Sequence, residues 1–411
     1  MKYLAIYFTG MILASNSYAS AIDESGQTIL PFLEKGNYAE ANIFIVDPNI
    51  SGNIRNSPQL ADHSHDLTTG NMANSFEYYS AALKLQLNDY FAFGLLYDQP
   101  FGADILYPIK QNNTYSDIKD SKQGTSVNVD SQNVSMILGI MPYKNIQFYL
   151  GPVHQTLKGN VALRGNAYTA FFNGYDAYFK EDSALGWLVG VNYQIPDIEL
   201  KLAVTYRSKI KHEMSVDETL YDQPINLTSF EKTKITTPQS INIDFQTGIN
   251  QSTLAFVNLR WVNWKKFNIR PTQFGAITQA ITSELTGGAY DQGFDLDSHQ
   301  KNQIYAAIGL GHQISEKLSI GSEVSWDSGT GNPASSLNPT KGSWGLGVGI
   351  QYNPAPNYFI ATGIKYYWLG DAIAEDGTYY LPIDGIKLNA EQADFKNNSS
   401  MAYTLKFGYH F

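Results

Sequence analysis

The last nine residues of the chain alternate strictly between large apolar side chains and small or polar ones. The apolar positions are Tyr403, Leu405, Phe407, Tyr409 and Phe411. Because successive side chains of a β-strand point to opposite faces, this period of two predicts a half-buried strand that runs to the chain terminus. A bare aromatic edge strand is an aggregation hazard in a soluble protein, so we expect a sheet without a free edge.

The same alternation recurs inside the chain, over residues 200–207, 255–262 and 343–352. Each segment has one apolar face and one mixed or polar face. A membrane barrel turns its apolar face outward, whereas a soluble sandwich points that face into its core. Periodicity alone does not separate these two folds.

Composition excludes several classes of protein. Charged residues are 16% of the chain, against roughly 25% in an average soluble protein. The longest internal apolar run, around 304–310, is far shorter than the ~20 residues of a membrane helix. A net charge of −10 argues against a nucleic-acid partner. The absence of Cys excludes disulfides, thiol catalysis and Cys-based metal sites.

The two ends of the chain separate the remaining folds. Residues 1–21 have the pattern of a signal peptide: a basic start, an apolar stretch, and a small-residue cleavage site after Ala19 or Ala21. The terminal Phe411 is similar to the C-terminal signal by which the barrel-assembly machinery recognises outer-membrane barrels. Together these ends predict localisation to the bacterial outer membrane as a multi-pass β-barrel.

Connection lengths define the topology of that barrel. They predict fourteen strands, an even number as in bacterial single-chain barrels. The predicted strands are 38–48, 76–87, 90–99, 126–141, 146–160, 183–195, 197–211, 238–249, 252–265, 302–314, 317–327, 341–353, 356–369 and 399–411. Short and long connections alternate, which matches short periplasmic turns and long extracellular loops.

The predicted fold is therefore an all-β, 14-stranded antiparallel transmembrane β-barrel over residues 38–411. A short plug segment, 22–37, precedes it, and both termini fall in the periplasm. We expect a monomer whose surface contacts outer-membrane lipid and lipopolysaccharide.

Four segments resemble the long-chain fatty-acid transporter family of outer-membrane proteins, which includes aromatic-hydrocarbon channels. They are Ile45 to Gly52, Phe91 to Gly94 followed by Phe101-Gly102, Tyr206 to His212, and Trp261 to Phe267. The resemblance extends over nearly the whole mature chain, and the order of the motifs carries it. It implies a fourteen-stranded barrel, an N-terminal plug and diffusion of hydrophobic molecules without a cofactor.

The chain departs from this family before its first strand. The segment is shorter than the family's plug and lacks its Asn-Pro-Ala motif. We therefore expect only a short plug, in which Ile29, Leu30, Phe32 and Leu33 reach into the lumen. Whether such a segment closes the barrel stays open at this point.

The third long loop is unusually aromatic. Its candidate substrate-binding residues have helical spacing and are Tyr168, Phe171, Phe172, Tyr175 and Phe179. The next loop adds Leu227 and Phe230. The family resemblance implies an outer hydrophobic groove in this region, and exposed apolar patches tend to mark binding sites. The alternative is that these side chains pack the loop against its neighbours.

Three cations are predicted on lumen-facing positions: Arg207, Lys209 and Arg260. A cation in a partly dry lumen can hold a substrate carboxylate through a charge-assisted hydrogen bond. The alternative is an ion-pair network inside the barrel.

A lateral gate is predicted in the third strand, at Pro100 and Gly102. Pro lacks the backbone donor of a sheet ladder, and Gly marks bulges. The family resemblance points to lateral opening at the same place. The alternative is that Pro100 simply begins the second long loop.

Motifs for catalysis are absent: there is no G-x-S-x-G, H-E-x-x-H or P-loop sequence. Asp62, His63 and His65 are interpreted as a solvated loop and not as a metal site. The sequence thus predicts a non-enzymatic channel for passive uptake of long-chain fatty acids or aromatic hydrocarbons. The alternatives are a water-filled porin for polar solutes and a barrel-anchored enzyme or adhesin.

Deleting Phe411 should lower the amount of folded barrel, because the aromatic terminus is the expected assembly signal. Heat-modifiable gel mobility of outer-membrane fractions measures this amount. An unchanged folded fraction would argue against a role for Phe411 in assembly.

Overall fold

The computed structural model describes residues 22–55, 67–110, 113–117, 122–229, 231–375 and 392–411. The predicted signal peptide, the Asp62–His65 loop and Phe230 lie outside the described residues.

Fourteen antiparallel strands form one closed ring. They are β1 (Tyr38–Asn49), β2 (Phe76–Gln86), β3 (Phe91–Asp98), β4 (Ser126–Tyr143), β5 (Ile146–Leu163), β6 (Tyr175–Ile195), β7 (Leu200–Arg207), β8 (Ser240–Asn250), β9 (Thr253–Val262), β10 (Gln303–Ser315), β11 (Leu318–Asp327), β12 (Ser343–Ala355), β13 (Tyr358–Leu369) and β14 (Ser399–His410). Each strand pairs with its neighbours in sequence, and β14 pairs with β1 to close the ring. The predicted barrel is confirmed, and β6 begins at Tyr175 instead of near residue 183.

Shorter elements extend the barrel wall or lie in the connections. The helical elements are the 3-10 turns Leu30–Leu33, Asn166–Tyr168, Pro196–Ile198 and Trp264–Lys266, and the helices α1 (Thr169–Phe172) and α2 (Thr272–Leu285). The short strands are Gly52–Arg55, Gly102–Leu106, Ser116–Asp117, Gln123–Gly124, Ile210–Met214, Val216–Leu220, Gln223–Pro224, Thr233–Thr237, Asn268–Ile269, Asp297–Ser298, Ala334–Ser335, Ala372–Glu375 and Gln392–Phe395. None of the helices in the described part of the chain is long and apolar enough to cross a membrane.

The apolar face of the barrel points outward. In β13, Ile360, Ile364 and Trp368 are 43%, 46% and 51% exposed, whereas Phe359 and Tyr367 on the other face are 2% and 1% exposed. Leaving so much apolar surface in water would cost roughly 25 cal/mol per Å². The outer face therefore contacts lipid, and the chain spans the membrane as a barrel.

A row of tryptophans marks one edge of this lipid-facing band. Trp326, Trp344 and Trp368 are consecutive partners across β11, β12 and β13. All three are exposed on the outer face. Amphipathic aromatic rings favour the boundary between lipid and water, so this row defines the loop-side interface.

The N-terminal segment, residues 22–37, lies inside the barrel. The turn Leu30–Leu33 places the Phe32 ring against Gly94 of β3, where any side chain would overlap the ring. The same ring packs edge-on against Tyr149 of β5, with centroids 5.8 Å apart. Sequence alternation gives no reason for a Gly at position 94, and the contact with Phe32 supplies one.

Candidate ligand pathway through the barrel

Arg260 of β9 ties the N-terminal segment to the barrel wall. Its Nε donates to Asp23 Oδ2 at 2.9 Å, and the two side chains are 4% and 1% exposed. Its other nitrogens donate to Asn242 Oδ1 at 2.7 Å and to Gln27 Oε1 at 3.1 Å. A buried charge is tolerated only when it is paired and hydrogen-bonded, as Arg260 is here. The geometry supports the ion-pair interpretation of this residue.

Arg207 contacts the same segment, but Lys209 does not. The Arg207 guanidinium donates to the Gln27 carbonyl at 3.1 Å. Lys209 lies in a break between β7 and the strand Ile210–Met214, and across this break the buried face switches from odd-numbered to even-numbered residues. Lys209 is therefore exposed. The prediction that it shares a lumen face with Arg207 is wrong, because alternation does not reveal a one-residue slip.

An apolar pocket lies between the N-terminal segment and the extracellular loops. It is lined mainly by aliphatic and aromatic side chains from the loop ends of the strands and from the loops above them. These are Ile22, Phe101, Ala103, Val127, Val129, Leu157, Val161, Phe179, Met214, Ile235, Trp264, Phe267, Ile269, Leu296 and Leu337. Such a concave apolar enclosure is the usual form of a site for a small hydrophobic ligand.

The barrel wall has a gap beside β3. The ladder between β2 and β3 ends at the pair Ser80↔Asp98. Pairing resumes only at the bridge Ala73↔Ile105. Between these points, residues 76–79 of β2 keep their pairing with β1 and have no ladder partner on the β3 side. We call this gap, framed by residues 74–79 and 99–103, the lateral window.

The residues predicted as a gate lie at this window. Pro100 is buried, and its carbonyl accepts a hydrogen bond from the Glu24 backbone at 2.8 Å. The Gly102 N–H donates to the Ile22 carbonyl at 3.0 Å. The N-terminal segment thus pairs with the chain directly after β3, at the break. Pro100 interrupts the wall of the barrel and does not merely begin a loop.

A cleft of about 450 Å³ occupies the lateral window. Three residues, Phe101, Ala103 and Val129, line both this cleft and the apolar pocket. Ile45 of the lipid-facing surface also lines the cleft. The cleft therefore lies between the apolar pocket and the outer face of the barrel.

Most of the predicted aromatic groove is buried packing. Phe172 is 4% exposed and contacts Phe274 and Phe294, with centroids 4.7 and 5.8 Å away. Tyr168 and Tyr175 are 4% and 0% exposed. The prediction that these three rings form an open groove is wrong. The aromatic partners come from a later loop, which the local sequence does not show.

The remaining members of the predicted groove have different positions. Phe179 is 5% exposed and lines the apolar pocket. Phe171 and Leu227 are exposed at the extracellular side, at 47% and 64%.

Glu218 holds α2 over these rings. Its carboxylate accepts hydrogen bonds from the backbone N–H groups of Gln273 and Phe274, at 2.8 and 2.7 Å, and from the Tyr175 hydroxyl at 2.8 Å. The first N–H groups of a helix lack partners within the helix, and a carboxylate there also favours the helix dipole. The loop aromatics are thus fixed by a buried polar contact as well as by packing.

Solved structures match this architecture. A Pseudomonas aeruginosa FadL homologue superposes with a TM-score of 0.66 at 14% identity, covering 93% of this chain and 92% of that one. The P. putida toluene transporter TodX gives 0.62 at 12% identity, with 93% and 92% covered. The Ralstonia pickettii toluene transporter TbuX gives 0.56 at 11% identity, with 96% of each chain covered.

The chain has the fold of the FadL-type outer-membrane channels. The family resemblance seen in the sequence is confirmed at the level of the fold. No protein-family model and no curated protein sequence matches the chain. The relationship is therefore carried by the architecture of the FadL-type barrel and not by overall identity.

Several residues of this FadL-type barrel escaped sequence analysis. Asp23 and Gln27 accept hydrogen bonds from Arg260 and so tie the N-terminal segment to the wall. Trp264 and Phe267 line the apolar pocket, and Glu24 lines the lateral window. The acidic pair Asp23-Glu24, next to the predicted cleavage site, was the available signal. Its partner Arg260 lies more than two hundred positions away, so spacing could not connect them.

Asp23→Asn should release the N-terminal segment, because it leaves the buried Arg260 guanidinium without its counter-charge. Losing one partner of a buried pair costs roughly 3–5 kcal/mol. We expect higher single-channel conductance in planar bilayers and faster proteolysis of the segment, with the barrel still heat-modifiable. The exposed Asp291→Asn is the matched control. Unchanged conductance and proteolysis would contradict a clamping role for Asp23.

Proposed function

We propose that this protein is an outer-membrane channel for passive uptake of hydrophobic small molecules, without a chemical step. The observation that carries the proposal is an apolar pocket in the lumen that continues, through Phe101, Ala103 and Val129, into a gap in the wall. Two FadL-type structures of the same fold are named toluene transporters, which supports this substrate class.

Capture at the loops is the first step of the proposed route. Phe171 and Leu227 are the exposed apolar members of the predicted binding set among the described residues. A hydrophobic molecule that leaves water for such a surface is stabilised by burial of its own apolar area. The molecule then moves to the pocket, where Phe179 and Trp264 contribute ring surface.

Lateral exit is the second step. An axial route would lead past the N-terminal segment, whose far end is held by Lys84. The Lys84 Nζ donates to the carbonyls of Glu34 and Gly36 at 2.9 and 2.7 Å. Hydrophobic cargo is also stabilised by moving sideways into lipid and gains nothing from the watery periplasm. Both considerations favour the lateral window over the axis.

Replacing Phe179 and Phe267 by Ala should weaken binding of toluene to the purified barrel in nanodiscs. Burial of one ring contributes about 1.5–3 kcal/mol at most, so a loss of tenfold or more in affinity is expected by calorimetry. Phe148→Ala, on the lipid face, is the matched control. Equal affinities for the double variant and the control would argue against the pocket as the binding site.

Crosslinking the lateral window should block uptake while leaving binding intact. Glu77 and Ala103 line the cleft from its two sides. In the double variant Glu77→Cys with Ala103→Cys, a bifunctional thiol reagent can therefore bridge the two positions. Val324→Cys with Leu346→Cys, partners in the intact β11–β12 ladder, is the control. Uptake of toluene into proteoliposomes measures the effect. Undiminished uptake by fully crosslinked, folded barrel would exclude the lateral route.

A further inference from the structure

The charges along the proposed pathway are nearly all negative. One carboxylate, Asp297, lines the apolar pocket. Four more line the window cleft: Glu24, Glu77, Asp104 and Asp130. A pathway for fatty acids would be expected to present cations to the substrate carboxylate, so this distribution calls for another class of cargo.

Asp297 has one carboxylate oxygen without a partner, in mostly apolar surroundings. It lies on the short strand Asp297–Ser298, and its Oδ1 is buried without a hydrogen-bond partner. The carboxylate also accepts hydrogen bonds from the Ser335 side chain and the Ser298 backbone, and burial raises its pKa. The neighbouring His299 does not neutralise it, because burial lowers the pKa of the imidazole and keeps that ring uncharged at neutral pH. A buried acceptor without a donor is costly, and a ligand that carries a donor would satisfy it.

Glu24 is a second unpartnered carboxylate, at the window. It is 8% exposed, and its side chain lies so close to Gly102 that any side chain at that position would overlap it. The Glu24 backbone is bonded to Pro100 at 2.8 Å, which fixes the residue at the break. In the described part of the chain, no hydrogen-bond donor reaches its carboxylate. Burial, together with the charges of Asp130 and Asp23, raises the pKa of Glu24.

The cations nearby are already engaged. Lys158 is the one Lys or Arg among the described residues that line the pocket and the cleft, and its Nζ lies 3.6 Å from Asp130. Arg207 and Arg260 are bonded to the N-terminal segment. An incoming carboxylate would therefore meet like charges, and neither Arg207 nor Arg260 is free to offset them.

We propose that the pathway prefers hydrophobic molecules that carry a protonated amine over those that carry a carboxylate. This inference rests on the proposed function and specifies its substrate class. The ammonium group would donate to Asp297 while the apolar part contacts Trp264 and Phe267, whose ring faces also attract cations. The carboxylates that line the lateral window would stabilise the same group on its way out.

Three compounds that share one carbon skeleton and differ only in their polar group test this preference: 4-phenylbutylamine, 4-phenylbutanol and 4-phenylbutanoate. Their affinities are measured by calorimetry at neutral pH, with the full barrel in phosphatidylcholine nanodiscs and empty nanodiscs as background. We expect the amine to bind about tenfold more tightly than the alcohol, as suits a charge-assisted hydrogen bond. The carboxylate should bind most weakly of the three.

Asp297→Asn isolates the carboxylate, since it preserves shape and removes charge. It should reduce amine affinity about tenfold, to that of the alcohol, and change alcohol affinity much less, because the Asn side-chain oxygen still accepts a hydrogen bond. Asp291→Asn, exposed in the same loop, should change neither. An equal loss for amine and alcohol in Asp297→Asn would mean that the residue only supports packing and would overturn its assignment.

The outcomes separate this inference from the proposed function. Binding of none of the three compounds, in barrel shown to be folded, would overturn the proposed function itself. Binding of all three with the carboxylate equal to or tighter than the amine would overturn only the amine preference.

Discussion

In a bilayer, every backbone N–H and C=O group of the wall has to find its hydrogen-bond partner within the protein, because lipid supplies none. The chain meets this requirement by pairing β14 with β1 over twelve residue pairs, from Tyr38↔His410 to Asn49↔Ser399. Closure decides which face of every strand meets lipid and which meets the lumen. It also makes any interruption of the wall costly unless other groups satisfy the freed backbone.

The backbone groups left unpaired by the break after β3 find their hydrogen-bond partners in this way. The Phe101 N–H donates to the Ser131 hydroxyl at 2.8 Å, and the Phe101 carbonyl accepts from the same hydroxyl at 2.7 Å. The Tyr79 N–H donates to Gln99 Oε1 at 2.7 Å, and the Gly102 N–H to the Ile22 carbonyl. The N-terminal segment therefore supplies a backbone partner at the break and fills the lumen below it. The window and the segment form one structural unit.

That unit also sets the electrostatics of the interior. The guanidinium groups of Arg260 and Arg207 are both bonded to the N-terminal segment and hold it in the barrel. In the described part of the chain, neither Asp297 nor Glu24 has a guanidinium partner. Net charge alone, −10 for the whole chain, would not distinguish an acidic surface from an acidic pathway. The pairing inside the barrel makes that distinction.

The sequence by itself determined the barrel. Alternation is a local property of each strand, and lipid on the outside selects it directly, so thirteen of the predicted strands begin within a few residues of their positions in the structure. Pro100 and Gly102 were likewise visible, because a missing donor and a missing side chain act locally on a ladder. The tertiary structure alone decided which interior residues meet. Phe172 packs against Phe274, and Asp23 pairs with Arg260, across separations that period two does not encode. Lys209 left the lumen through a single-residue slip, which changes the face of every residue after it. Burial of loop aromatics and pairing of lumen charges depend on neighbours brought together by closure, and only the folded barrel supplies them.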